Sequence, residues 1–85
     1  MTLESSAWRA GDAAAYEVVR DVANTVTALL FAVAAADGIE PALAIAEAQR
    51  IRLDLLRINP FDRADLDALL ERLNMRVDDL SGLLR

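Results

Sequence analysis

VVRDVANTVTALLFAVAAA, Val18 to Ala36, is the stretch whose reading decides the fold, because no other segment is apolar on more than one face. After Asp21 it carries no charge until Asp37. Ala15, Val19, Val22, Val26, Leu29, Val33 and Ala36 recur in an alternating four-three spacing, the seam of an amphipathic helix. A second stripe, Tyr16, Ala23, Leu30, Phe31 and Ala34, lies round the side. A helix apolar on two sides must be covered on two sides, which a single short neighbour cannot do.

The chain around it offers few other means of stabilisation. At 85 residues it is one small domain, near the size that gains from a partner or a staple. It contains no cysteine, which excludes disulfides and thiolate metal sites and agrees with a cytoplasmic location. It contains no histidine, so carboxylates alone remain for acid–base or metal chemistry.

The net charge of −5 is concentrated before residue 41, where Glu4, Asp12, Glu17, Asp21, Asp37 and Glu40 face only Arg9 and Arg20. No segment builds a dense cationic stripe, so nucleic acid is not expected as a partner. Every basic residue is arginine and alanine is abundant, a bias that points to a GC-rich bacterial or phage source. The charge-free run Val22 to Ala36 is too short to cross the roughly 30 Å hydrocarbon core, so no membrane partner is expected.

In chain order, MTLESSAWRAG reads as an N-terminal arm, residues 1–11, broken from a domain spanning 12–85 at Gly11, the alternative being a helix capped by Ser5 or Ser6 that runs straight through Gly11. The main helix is expected over about 12–36, with Gly38 taking the left-handed conformation that closes it. Pro41 then opens a second helix, about 41–58, whose seam is Ala44, Ala48, Ile51, Leu55 and Ile58, flanked by Ile45 and Leu56. So short a connection makes the two an antiparallel hairpin. Glu47, Arg50, Asp54 and Arg57 line the opposite face as a solvated, weakly ion-paired row. Arg52 stands outside that row and, with Trp8, is a candidate partner contact.

Asn59-Pro60 stops the second helix and Asp62 caps a third, about 62–73, through Leu66, Leu69, Leu70 and Leu73. Asn74 suits a turn, after which VDDLSGLL reads as a last short helix, about 77–84. Leu80, Leu83 and Leu84 are expected to close the core there, with Phe61 and Met75 packed at its corners. The tail ALLERLNMRVDDLSGLL has the rhythm of a helix-turn-helix, but the would-be recognition helix opens with two aspartates that phosphates repel.

The acidic residues find their explanation as helix caps, since Asp62, Asp65, Asp78 and Asp79 fall at positive helix N-termini. With no phosphate loop and no nucleophile setting, no catalytic constellation, cofactor site or metal site is expected. The run AAADG before Pro41 faintly resembles the interhelical turn of tellurite-resistance TerB-type helical domains, although Ala42 and Leu43 stand where that family places an acid.

The expected fold is therefore all-α: an antiparallel hairpin with two short C-terminal helices, a bundle completed by self-association. Val19, Val22, Val26, Leu29, Leu30 and Val33 are the expected oligomer interface, most simply that of a homodimer. The expected function is a small acidic interaction protein, not an enzyme, that self-associates and binds a protein partner in a structural or regulatory role. Two alternatives are a small transcriptional regulator using the C-terminal helix pair and a phage-type inhibitor of a host protein.

Overall fold

The structure, a computed structural model, describes the backbone of residues 2–85 and the side chains of residues 13–85. The described residues form three helices and no strand: α1, Thr2–Ala35; α2, Pro41–Arg57; and α3, Arg63–Leu83. α1 lies at the centre. It packs against both other helices, whereas no Cα of α2 comes within 8 Å of a Cα of α3.

α1 departs from the expected start near residue 12 by running through Gly11. One interior glycine costs a helix only about 1 kcal/mol relative to alanine, and Ala10, Ala13, Ala14 and Ala15 around it are the strongest helix formers. At a rise of about 1.5 Å per residue, its 34 residues span about 51 Å and set the long axis of a molecule measuring 55 × 23 × 16 Å. Ala13–Ala35 is long and apolar enough to cross a membrane by length and composition, a correction to the expectation drawn from the charge-free run alone. Its buried side chains nevertheless face α2 and α3.

α1 ends in two tight backbone bonds: Gly38 N–H donates to Val33 O at 2.8 Å and Asp37 N–H to Ala34 O at 3.1 Å. The left-handed residue is Asp37, at φ 63°, and not Gly38 as expected. Asp tolerates that conformation better than most side chains do. Gly38 is needed for space instead, since a Cβ there would sit 2.7 Å from Cγ1 of the buried Val33. Pro41 opens α2 as expected, behind a Glu40 whose side chain makes no cap bond.

The link to α3 is an Asx turn followed by a cap. Asn59 Oδ1 accepts from Phe61 N–H at 3.0 Å, and Asp62 Oδ1 accepts from Asp65 N–H at 3.1 Å. α3 then continues unbroken to Leu83, so the two short helices and the turn at Asn74 do not form. Asn74 is only a modest helix destabiliser, and Leu66, Leu69, Leu73, Val77 and Leu80 make one continuous apolar stripe across it. A helix-turn-helix geometry is therefore missing from the tail.

The core joins Val19, Ala23, Val26, Leu30 and Val33 of α1 to Ala44 and Ile51 of α2 and to Leu66, Leu69, Leu73 and Leu80 of α3. Of the three leucines expected to close the end, Leu80 alone is buried. Leu83, Leu84, Phe61 and Met75 remain exposed, Phe61 and Met75 because they fall on the outer sides of the link and of α3.

Candidate interaction surface

Four of the six residues expected at an oligomer interface, Val19, Val26, Leu30 and Val33, are fully buried within the single chain. Val22 and Leu29 pack partly buried against the same core. α2 and α3 between them cover two sides of α1, because α3 is one 21-residue helix and not two short pieces. What the chain leaves uncovered is the opposite side of α1: Val18, Asn24, Thr25, Ala28, Phe31, Ala32 and Ala35 are all exposed.

That side is less polar than its sequence suggests. Thr25 Oγ1 donates to Asp21 O at 3.1 Å and Thr27 Oγ1 to Ala23 O at 3.0 Å, so both hydroxyls turn back onto their own helix. Between Val22 and Ala36 the outward surface of α1 thus consists of alanines, a phenylalanine, an asparagine amide and threonines whose hydroxyls are already bonded.

Between α1 and α2 runs a groove of about 470 Å³. Ala23 and Ala48 form its floor, and the small size of both lets it sink between the helices. Phe31, 48% exposed, and Ile45, 49% exposed, stand among its lining residues with Arg20, Thr27, Gln49 and Arg52. Leu53 and Leu56 extend the apolar surface along the exposed side of α2. Tyr16 Oη donates to Leu55 O at 3.4 Å, which satisfies a carbonyl of the last turn of α2 that the helix itself leaves open.

Among the described residues no carboxylate lines this groove. Arg52 makes no ion pair among the described residues, and Arg20 meets only Glu17, at 3.6 Å and with both side chains more than half exposed. Trp8, the other candidate contact, lies outside the residues whose side chains are described.

A second cleft, of about 530 Å³, separates α2 from α3. Arg76 spans it: its Nε donates to Glu47 Oε2 at 2.7 Å and its Nη2 to Glu47 Oε1 at 2.8 Å, a two-point clasp. Hydrogen bonding to Glu47 raises the pKa of Arg76, against the lowering effect of burial, and the charges of Glu47 and Asp79 add to the rise. The row Glu47, Arg50, Asp54 and Arg57 is accordingly not stitched to itself; none of the four pairs with another among the described residues. Glu47 reaches across to α3, a partner invisible while α3 was expected to end at residue 73.

Asp62 and Asp65 have the helix-terminal positions expected of them, and Asp67 pairs with Arg63 at 3.4 Å. Among the described residues no three acidic side chains gather into a metal-holding group. The fold and the exposed surface together define a small all-α protein of three helices with an open apolar flank. The chain matches no family model, and neither a curated protein nor a solved structure is significantly similar to it.

Proposed function

We propose that this chain is a small helical interaction protein, without a catalytic role, that self-associates and binds a protein partner. The observation that carries the reading is the uncovered outward side of α1, charge-free from Val22 to Ala36 and continuous with the exposed Phe31 and Ile45. A helix placed at the centre of its own fold is ordinarily enclosed; here one side faces water.

In this proposal α1 and α2 form an antiparallel hairpin, supported by the short link from residue 36 to residue 40 and by the Tyr16–Leu55 bond. α3 covers a second side of α1, and a copy of the chain covers the third. The small side chains Ala28, Ala32 and Ala35 allow a second α1 to approach closely, and cyclic dimers are the commonest closed assembly. Sedimentation velocity across a hundredfold range of concentration tests this. A shift from monomer to dimer supports it, and a single monomeric species at every concentration overturns it.

A further inference from the structure

We propose that the groove between α1 and α2 is the docking site for an acidic amphipathic helix of a partner protein. Its apolar residues lie between Phe31 and Ile45, and its flanking carboxylates meet Arg20 and Arg52. This deepens the reading of the chain as an interaction protein by giving the partner's chemistry, and it uses a surface that adjoins the self-associating side of α1 and shares Asn24 and Phe31 with it.

Charge carries the argument. The protein has a net charge of −5, yet among the described residues the charged side chains lining this groove are two arginines and no acid. A protein this acidic repels acidic partners in general, so a groove of the opposite sign stands out as a local exception. Arg52 has no intramolecular partner among the described residues, and its planar guanidinium suits two-point capture of a carboxylate.

Shape agrees. From Arg20 to Phe31 the groove follows α1 for about 16 Å, the length of three helical turns. An amphipathic helix laid in such a groove is anchored by apolar side chains one turn apart, for which Phe31 and Ile45 provide the walls and Ala23 and Ala48 the depth. Thr27 also lines it, its hydroxyl donating to Ala23 O. The same charges disfavour a second copy as occupant, because face-to-face pairing about a two-fold axis brings four guanidinium groups into one small interface.

Peptide display on the full-length chain tests the proposal. A random library of 16-residue peptides is selected against the immobilised protein, and the recovered peptides are measured by fluorescence anisotropy. The expected result is enrichment of Asp and Glu flanking Leu, Ile, Phe or Met at helical spacing. Their affinity falls at least tenfold in Arg52→Glu and in Ile45→Glu, and stays within twofold of wild type in Arg72→Glu, which makes the same charge change on the α2–α3 side. Circular dichroism shows whether each variant is folded, and Arg52→Ala gives the same reading without charge reversal.

Basic or uncharged winners, no enriched winners, or equal weakening by Arg52→Glu and Arg72→Glu would each overturn the proposal. Loss of self-association in Arg52→Glu would overturn it as well, by making the groove an interface between copies. Self-association is followed separately by sedimentation. A monomer that still binds acidic peptides removes the dimer and keeps the groove, while a dimer that binds none does the reverse.

Discussion

At the scale of single residues, the turn after α1 separates two roles that adjacent Asp37 and Gly38 divide between them. Asp37 bears the left-handed conformation and Gly38 the close approach to Val33. Gly38→Ala is expected to lower stability by about 1–3 kcal/mol, the usual cost of overpacking, because Val33 is fully buried and cannot yield freely. Asp37→Gly is expected to raise it, by at most about 1 kcal/mol, by relieving the side chain of a conformation that glycine adopts without penalty. Paired urea melts of the two variants check both signs, and a stabilised Gly38→Ala would contradict the stated role of that position.

The clasp between Arg76 and Glu47 also belongs to this scale. Both side chains are about one-third exposed, 33% and 31%, so solvent screens the pair and its worth is about 1 kcal/mol despite the two-point geometry. Arg76 has a raised folded-state pKa, so its contribution is fully present below the unfolded value and is lost only as pH rises beyond it. That window lies far above neutrality. The difference in stability between wild type and Arg76→Met is therefore expected to be constant from about pH 6 to about pH 10. A melt series over that range showing a sloping difference would mean that another group controls the clasp.

At the scale of elements, the continuity of α3 decides most of what is new. Asn74→Pro removes a helical hydrogen bond and is expected to cost about 3 kcal/mol or more, whereas a proline in a turn between two helices would be mild. Leu80→Ala is expected to cost about 2–5 kcal/mol and Leu83→Ala less than about 0.5 kcal/mol, since the first is fully buried and the second half exposed. Equal effects of the two leucine variants would restore the expectation that both close the core.

The class of fold, the α1–α2 link, the opening of α2 at Pro41 and the cap at Asp62 are legible in the sequence because each rests on local chemistry. The path through Asn74 is not, and that through Gly11 is left as one of two readings, since a residue that merely permits a turn does not enforce one when strong helix formers or a continuing stripe lie on both sides. The burial of expected interface residues within the single chain has the same origin. A seam of Val19, Val26, Leu30 and Val33 looks surplus beside two short C-terminal helices and is fully used beside one long one. Arg52 stands out in the sequence because it falls outside the charged row of α2, whereas its companions Arg20 and Phe31 come together with it only through the packing of α1 on α2.

At the scale of the whole molecule, the proposed self-association through α1 makes a plain demand on its outward side. Ala28→Arg combined with Ala32→Arg is expected to give a folded monomer at every concentration, because both positions are exposed and neither touches the core. Sedimentation velocity with circular dichroism checks this, and a persistent dimer in the double variant would place the interface elsewhere.

The position of α1 as sole common neighbour reaches further than assembly. α2 and α3 each pack closely on α1, while no Cα of one comes within 8 Å of a Cα of the other and the Arg76–Glu47 clasp bridges the cleft between them. α2 buries only Ala44 and Ile51, while α3 buries Leu66, Leu69, Leu73 and Leu80. Cooperativity is then limited: native-state hydrogen exchange should show the amides of α2 opening together at a lower free energy than those of α3, with α1 opening last. A protein arranged in this way can release one flank while the other stays closed, and exchange of a common protection level across all three helices would show that it does not.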